Sequence, residues 1–437
     1  MPFLHSIRWW TAAGLVTAAT GCRGEDLSFD CDYQSERFAE EAAAEGALRD
    51  APPEGGPYPV AVVVSETGLD RLVKAVVGED IPFAGNVPLA GFDASFEPKG
   101  EPQVRILDVP GCVDCVFFDV EFYLSLADTG GGGVSSGVGS TRLGIPLYLQ
   151  PGPDDVMELW ADYDALRIES FDFVVAGFTS EEHEALAGAM RILLEEKIRE
   201  QYDPTHIMDF EPWRLGTGDV RLVAQELFLF PDDATMAVGM QTNLALPEGA
   251  GLERPTLPEG AHLGLAFHGA IFEPLIERMI VEGEIPRRYD ADGTPDEEGE
   301  FGITIQSIAG LPSPMPEVFR VMFRVWRTAG GYCGYALAQM DVTGAFDGRF
   351  LRMSPGPVAV LSGEGAGAVA AEDEELVAEH QGVVDNFKRA VAEQLELAVG
   401  LSAVDLPGHD VVLEAPVLDI EPDAVRMASD FFTVEEP

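Results

Sequence analysis

A segment of 14 residues occurs twice in this chain. Residues 219–232 (DVRLVAQELFLFPD) align without a gap on residues 410–423 (DVVLEAPVLDIEPD), and seven positions are identical. Both copies have the composition of a pair of strands. A repeated sequence is expected to fold in the same way at both places, so it limits the fold more strongly than composition does. We therefore predict an internal duplication.

The two halves also share one order of predicted elements. Each begins with a strand and a short helix, at residues 59–77 and 262–279. Stretches rich in β-branched and aromatic residues follow, then a long amphipathic helix and the repeated strand pair. We place the first repeat at residues 57–247 and the second at 261–437, joined by a turn-rich linker at 248–260. The predicted fold class is α+β.

The two long helices are predicted from their periodicity and their first residues. The first opens with Thr179-Ser180-Glu181-Glu182, which has the spacing of a capping box. The second is expected from about Asp373 to Val399, with apolar residues on one side. Helices with one apolar face bury that face against another element.

This order of elements resembles the tubular lipid-binding (TULIP) superfamily, in the two-domain form of its bactericidal/permeability-increasing protein (BPI-like) branch. The stretch Val63-Val64-Ser65-Glu66-Thr67-Gly68-Leu69-Asp70 is similar to that family's entry into its first helix. The resemblance covers both repeats. It implies lipid binding and, in each repeat, a long curved antiparallel sheet wrapped around a long amphipathic helix, with a shorter N-terminal helix.

The chain departs from that family in two respects. The lipopolysaccharide-binding members are basic, whereas this chain is strongly acidic, so endotoxin binding is not expected here. Those members also have a disulfide between a strand and the long helix, and neither long helix predicted here contains a cysteine.

A sheet wrapped around a helix leaves an apolar seam between the two. If side chains leave the seam unfilled, it can hold an acyl chain, which gains about 0.8 kcal/mol for each buried CH₂ group. The alternative is that the same faces are solid core, in a structural or adhesive surface lipoprotein without a ligand. Our candidate ligand-binding residues are the apolar faces of the four helices, namely Leu69, Leu72, Val73, Val76, Leu186, Met190, Leu193, Leu194, Phe272, Leu275, Ile276, Met279, Val384, Phe387, Val391 and Leu395.

The N-terminus has the composition of an export signal. Arg8 precedes the apolar run Trp9–Ala19, which is shorter than the roughly 20 residues that a membrane-spanning helix needs. Small residues then lead to Cys22 in the pattern of a bacterial lipobox. We predict that residues 1–21 are a signal peptide and that Cys22 is lipidated. The alternative is an ordinary signal peptide with a bystander cysteine.

Arg23, directly after the predicted lipidation site, favours sorting to the outer membrane, where an aspartate would favour retention in the inner one. We therefore expect a protein anchored in the bacterial outer membrane, on its periplasmic side or at the cell surface. Residues 22–56 are acidic and rich in alanine, glycine and proline. We expect them to be an acidic tether, with one short helix over residues 34–48.

Cys112 and Cys115 are predicted to form a local disulfide, because an exported protein meets an oxidising compartment. A redox motif at this spacing would open a helix, whereas the following residues 116–122 have the composition of a strand. A zinc site would need two further ligands at matching spacing.

The charge of the chain excludes one class of partner. It has 27 basic and 76 acidic residues, a formal net charge of −49. Such a chain is repelled by nucleic acid phosphates and by anionic lipid surfaces. We therefore expect no nucleic acid partner, and membrane contact through the N-terminal anchor.

Three motifs match the residue spacing of known enzymatic or ligand-binding motifs, but their neighbouring residues do not fit those motifs. Residues 133–137 match the lipase elbow, which needs a helix after its serine, and here a strand-like stretch follows. Residues 363–368 match a dinucleotide fingerprint, but acidic residues at the next helix start would repel a pyrophosphate. The acidic stretch 290–298 resembles a calcium-binding loop, but in EF-hand register the first ligand position is occupied by Arg288, which cannot bind a cation. The remaining alternatives are a solvated loop and a weak cation site. We predict no catalytic residue, no cofactor and no metal.

These features together predict a membrane-anchored lipoprotein that is not an enzyme. Its expected function is to bind or transfer a hydrophobic ligand, a phospholipid or an acyl chain, in apolar seams between sheet and helix.

Overall fold

The structure, a computed structural model, describes most of the 437-residue chain. The described residues are 31–77, 85–89, 91–112, 114–215, 219–311, 317–330, 333–348, 350–365, 381–394, 397–398 and 409–435. Their α-helices are α1 (Cys31–Ala44), α2 (Glu66–Val77), α3 (Ser180–Gln201), α4 (Phe272–Val281) and α5 (Gln381–Gln394). None of the helices in these ranges is both long enough and apolar enough to cross a bilayer.

The strands of the described residues form three antiparallel sheets. In the first half they are β1 (Val60–Ser65), β2 (Gly85–Leu89), β3 (Phe92–Pro98), β4 (Gln103–Ile106), β5 (Cys115–Asp128), β6 (Val134–Pro151), β7 (Met157–Ala161), β8 (Arg167–Val175), β9 (Thr205–Phe210), β10 (Trp213–Arg214), β11 (Arg221–Phe230) and β12 (Thr235–Thr242). In the second half they are β13 (Leu263–His268), β14 (Arg288–Tyr289), β15 (Phe301–Gly310), β16 (Val318–Arg327), β17 (Gly334–Phe346), β18 (Phe350–Gly365), β19 (Leu397–Ala398), β20 (His409–Ile420) and β21 (Ala424–Glu435).

A seven-stranded sheet joins the two halves, in the order β10-β11-β12-β1-β13-β21-β20. Its middle pair is β1 with β13, flanked by β12 on one side and β21 on the other. Strands β11 and β20, which carry the repeated segment, therefore occupy equivalent places. Each copy forms one strand and not the predicted pair, because its middle residues form a bulge that keeps the strand continuous. Each has a β-bulge at the aligned position, at Ala224/Glu226 and Glu414/Val417. The repeat in sequence is also a repeat in structure.

An eight-stranded sheet belongs to the first half, in the order β2-β3-β5-β6-β7-β9, with β4 beside β5 and β8 beside β6. One face is apolar because side chains alternate along each strand, so that Phe122, Leu124 and Leu126 of β5 are all buried. Helix α3 contacts both β2 and β8, at separate margins of the sheet, so the sheet curves around the helix. The predicted capping box is confirmed, since Thr179 and Glu182 bond to each other's backbone N–H.

A six-stranded sheet belongs to the second half, in the order β14-β15-β16-β17-β18-β19. Helix α4 packs on β15 and helix α5 on β18. The predicted fold class is confirmed: α+β, with an antiparallel sheet packed around helices in each half.

The second long helix ends earlier than predicted. Helix α5 stops at Gln394, and Leu397–Ala398 is strand β19, paired with Phe350–Leu351 of β18. The backbone N–H and C=O groups at the edge of β18 can pair with Leu397 and Ala398, and this strand pairing competes with continuation of the helix. Residues 373–380 of the predicted helix lie outside the described part of the chain.

The acidic segment is not a free tether from residue 31 onward. Helix α1 packs on β15 and β16, where Phe38 is 3% exposed and its ring centroid lies 6.2 Å from that of Trp326. Glu41 forms an ion pair with Arg324. The tether prediction was wrong here because composition does not reveal that acidic residues have basic partners far along the chain.

Glu45, directly after α1, is a buried carboxylate at the same interface. Its side chain is 4% exposed, Oε2 lies 2.5 Å from Arg287 Nη1, and Oε1 accepts a hydrogen bond from the Ile305 backbone N at 3.1 Å. Burial raises the pKa of Glu45 to about 7, although the Arg287 guanidinium acts in the opposite direction. The loss of hydration therefore outweighs the attraction of one cation.

We expect the stability of this interface to fall as the pH rises. The pKa of Glu45 is about 7 in the folded protein, whereas a glutamate side chain in water has a pKa of 4.5, so the folded state binds the proton more tightly. The contribution is fully present below pH 4.5 and is lost as the pH rises through 7. It amounts to roughly 3 kcal/mol. Glu45→Gln should remove this part of the pH dependence of the denaturation midpoint, and an unchanged dependence would contradict the assignment.

Candidate functional site

An apolar cavity of about 120 Å³ lies between helix α2, the seven-stranded sheet and the eight-stranded sheet. A cavity that holds one water needs roughly 10–15 Å³, so this one is far larger than a packing defect. Its lining residues are Val62, Val64, Leu69, Leu72, Val73, Val116, Phe118, Ile145, Leu147, Leu159, Ala161, Tyr163, Thr205, His206, Ile207, Met208, Phe210, Met236 and Val238.

The local sequence explains how β1 and α2 line this cavity. Val62 and Val64 point into it, whereas Ala61 and Val63 face the other side of the sheet. Helix α2 covers the cavity with Leu69, Leu72 and Val73, which lie three and four positions apart on one helix face. Strand alternation and helix periodicity thus direct both sets of side chains to one space.

The structure brings three of the candidate residues to the cavity, namely Leu69, Leu72 and Val73 of α2. The candidates on α3 do not line it: Met190 and Leu194 are buried, and Leu186 and Leu193 are half-buried against the same core. The side chains of Val76 and Leu395, and the whole of Cys22, lie outside the described part of the chain.

The candidates of the second half also pack as core. Phe272, Leu275, Ile276 and Met279 of α4 are buried, as are Val384, Phe387 and Val391 of α5. Ring centroids lie 5.1 Å apart for Phe272 and Phe319, and 5.0 Å apart for Phe323 and Phe387. These side chains contact sheet residues directly and do not line the cavity of the first half.

Three residues of the cavity lining carry polar side chains, namely Tyr163, Thr205 and His206. Thr205 and His206 are exposed, and Tyr163 is half-buried. His206 Nε2 lies 2.7 Å from Asp209 Oδ1. Burial raises the pKa of the Tyr163 hydroxyl, with a smaller effect from Tyr202. The other lining side chains are hydrocarbon or thioether, so the surface of the cavity is almost wholly apolar.

Polar contacts hold α2 against the second half. Ser65 Oγ lies 2.8 Å from His262 Nδ1 and accepts a hydrogen bond from Gly68 N at 3.0 Å. Arg71 Nη1 donates to Asp430 Oδ1, and His262 Nε2 lies 4.0 Å from the same oxygen. Serine, histidine and aspartate also occur in hydrolase triads, but here the serine caps a helix and the aspartate binds Arg71. We assign the cluster to positioning α2 over the cavity.

Ser65→Ala is expected to lower the free energy of unfolding by about 1 kcal/mol, the usual cost of losing an N-cap. It should also raise hydrogen exchange in α2, because Gly68 N loses its acceptor. Thr179→Ala, which removes the cap of α3, is the matched control and should leave exchange in α2 unchanged. Equal exchange in α2 for both variants would show that Ser65 does not hold this helix.

The structure contains two disulfides among its described cysteines. Cys112 and Cys115 are joined at the start of β5, one residue before Val116 of the cavity lining. Cys31 and Cys333 are joined across 302 residues and attach α1 to the second half. The sequence pattern did not predict this second bond, since cysteine spacing shows proximity only when it is local.

The structure shows where the three motifs that match enzymatic or ligand-binding spacings lie, as far as they fall within the described residues. Ser135 lies in strand β6, paired with Leu126 of β5. Gly363 and Gly365 lie in β18, and the rest of that motif is outside the described residues. In the acidic loop, Asp290 Oδ1 accepts hydrogen bonds from the backbone N of Asp292 and of Thr294, so this carboxylate stabilises its own turn.

Comparison with known proteins places the chain in no family. No family model matches it, and no curated protein matches it. Among solved structures, lipopolysaccharide binding protein is similar over 87% of this chain and 100% of its own, with 11% identity and a TM-score of 0.36. P47 of Clostridium botulinum E1 is similar over 86% of this chain and 99% of its own, with 8% identity and a TM-score of 0.45. Scores this low assign no function.

Proposed function

We propose that this protein is an exported, lipid-anchored carrier or sensor that binds a hydrophobic ligand in the cavity beneath α2. The ligand class is a lipid with at least one acyl or alkyl chain. The observation that carries the proposal is the cavity itself, with its almost wholly apolar lining. A solvent-filled cavity with such a lining would be unfavourable, whereas a bound chain gains about 0.8 kcal/mol for each buried CH₂ group.

The proposal assigns binding to the first repeat and a supporting role to the second. The second repeat buries the corresponding helix faces against its own sheet. It also holds α2 through Asp430 and His262. If side chains filled the space beneath α2 as fully as they fill the core of the second repeat, a structural or adhesive role would be the better explanation.

Transfer of a pyrene-labelled phospholipid from donor to acceptor vesicles tests carriage. We expect the chain bearing Cys22→Ser, which lacks the proposed lipidation site, to accelerate transfer in proportion to its concentration. An unchanged rate together with absent ligand binding would overturn the proposal. An unchanged rate with retained binding would restrict the function to sensing or storage.

The anchor is tested separately by fractionation. The chain with Cys22 should partition with outer membranes of a bacterial host, and Cys22→Ser should move it to the soluble fraction. Equal partitioning of both proteins would show that Cys22 does not anchor the chain.

A further inference from the structure

A second pocket lies at the β10 edge of the seven-stranded sheet, beside the segment that joins α1 to β1. Its volume is about 450 Å³, and its lining is mostly polar. None of its lining residues belongs to the cavity beneath α2. The charged and polar lining residues are Arg49, Asp50, Arg214, Asp219, Arg221 and Asn243. We call this space the arginine pocket.

Strand register places two of the arginines side by side. Arg214 of β10 is paired directly opposite Arg221 of β11, and the neighbouring pair is Trp213 with Leu222. Because side chains alternate along a strand, the arginines lie on one side of the sheet and Trp213 and Leu222 on the other. Leu222 is buried, and Trp213 packs against the same core. Like charges directly opposite each other destabilise a sheet, so an anion beside this pair would be stabilising.

A buried asparagine holds the segments that carry the arginines. Asn243, directly after β12, is 3% exposed. Its Oδ1 accepts a hydrogen bond from Arg221 N at 2.8 Å, and its Nδ2 donates to the Asp219 carbonyl O at 2.8 Å. Its backbone O accepts a hydrogen bond from Arg49 N at 2.8 Å. The backbones of Arg49 and Arg221 are therefore held in place by the fold itself.

Two of the three guanidinium groups are available to a ligand. Among the residues that the structure describes, no carboxylate lies within ion-pair distance of Arg49 or Arg214. Arg221 pairs with Asp155 at 3.3 Å, but the Asp155 side chain is 61% exposed, and an ion pair this exposed contributes little to stability. The chain has 76 acidic residues, so a shortage of carboxylates does not explain this arrangement.

The charges around the arginine pocket are compatible with an anion. Its lining has three arginines and two aspartates, Asp50 and Asp219. Glu282 Oε1 lies 3.4 Å from Asp219 N, but it forms an ion pair with Arg278 at 2.6 Å. The net charge of the whole chain is screened beyond about 8 Å at physiological ionic strength. A compact anion can therefore contact Arg49 and Arg214 without displacing a carboxylate from either.

We propose that the arginine pocket binds a phosphate oxyanion through Arg49, Arg214 and Arg221. The planar guanidinium donates two parallel hydrogen bonds to phosphate oxygens, which makes arginine well suited to this group. A soluble phosphate ester and a lipid headgroup both present this oxyanion. The inference does not depend on ligand binding beneath α2, because the two sites share no lining residue.

Calorimetric titration of the full chain bearing Cys22→Ser with inorganic phosphate tests the site. We expect saturable binding at about 0.15 M ionic strength. Arg49→Gln combined with Arg214→Gln should weaken it at least about tenfold, because two charge-assisted donors are lost. The matched control is Arg191→Gln combined with Arg389→Gln, which removes two exposed arginines of α3 and α5. The control should leave the affinity within about twofold, since neither arginine is near the pocket.

Removal of the lining carboxylates tests the site in the opposite direction. Asp50→Asn combined with Asp219→Asn should tighten phosphate binding at least about threefold, because two negative charges beside the anion are lost. A variant that had merely lost its fold would not bind phosphate more tightly.

Two further titrations distinguish the sources of the phosphate group. Binding of glycerol 3-phosphate, without binding to phosphatidylcholine vesicles that contain phosphatidic acid, would support a soluble ester. Binding to those vesicles that is lost in the Arg49→Gln, Arg214→Gln variant would support a lipid headgroup.

Three results would overturn the proposal. They are no saturable phosphate binding by the chain with all three arginines, equal affinity with and without Arg49 and Arg214, and unchanged affinity after removal of Asp50 and Asp219. None of them would affect the proposed lipid binding beneath α2, which is measured with alkyl or acyl ligands.

Discussion

Replacement of Ala161 by phenylalanine is expected to weaken ligand binding at least about tenfold while leaving the fold at least as stable as before. Ala161 of β7 is 5% exposed, and its methyl group lines the cavity. A phenyl ring at this position enters open space, so it gains apolar burial and avoids the roughly 1–3 kcal/mol cost of overpacking. We expect the affinity for a fluorescent fatty acid analogue to fall at least about tenfold, a loss of about 1.4 kcal/mol or more.

The matched control is the same substitution at a filled position of the same sheet. Ala94 of β3 is 0% exposed, pairs with Val87 and Leu126, and does not line the cavity. Ala94→Phe should lower the free energy of unfolding by roughly 1–3 kcal/mol, with the affinity of the folded fraction unchanged. Equal destabilisation by both substitutions, with binding retained in Ala161→Phe, would contradict the cavity assignment.

Loss of the Cys31–Cys333 disulfide is expected to have the largest effect on stability. The bond closes a loop with a sequence separation of 302 residues, and the lost chain entropy of the unfolded state makes it worth roughly 5–6 kcal/mol. Cys31→Ser combined with Cys333→Ser should therefore release α1 first. The expected result is rapid proteolysis within residues 31–56 and an unfolding transition at a lower denaturant concentration.

Removal of the other disulfide provides the control for this prediction. Cys112 and Cys115 are three residues apart, so the same entropic effect gives only about 2 kcal/mol for their bond. Cys112→Ser combined with Cys115→Ser should leave the proteolysis of residues 31–56 unchanged. If both double variants were equally stable, or if α1 stayed protected without its disulfide, the other contacts of α1 would be sufficient to hold it.

Local periodicity was enough to predict much of the fold. The capping box of Thr179 and Glu182 depends on residues three positions apart, and the predicted helix after Ser65 agrees with α2 within one residue. The repeated segment identified two strands that occupy equivalent places in one sheet. Each of these features could be predicted from residues that lie close together in the sequence, or from a comparison of the two halves of the chain.

The position of the cavity could not be predicted in the same way. An apolar helix face has one pattern whether it meets open space, as Leu72 does, or packed side chains, as Met190 does. The difference depends on how two sheets close around the helix. Strand residues such as Val62 and Met208 were also missed, although the run of valines in β1 was a usable signal.

The docking of α1 was missed for a related reason. Its anchors on the second half, Arg324 and Cys333, lie far along the chain from Glu41 and Cys31. Composition shows only that the segment is acidic. Its basic partners become visible when the sheet of the second half brings them to the helix.

Native mass spectrometry of the full chain bearing Cys22→Ser tests the central claim most directly. We expect a population with one additional small molecule, released by organic solvent and identified as an amphiphile with an alkyl or acyl chain. The same preparation of Ala161→Phe should lack that population. A wild-type cavity that is free of ligand after purification and also fails to bind added amphiphiles would contradict the proposed lipid binding.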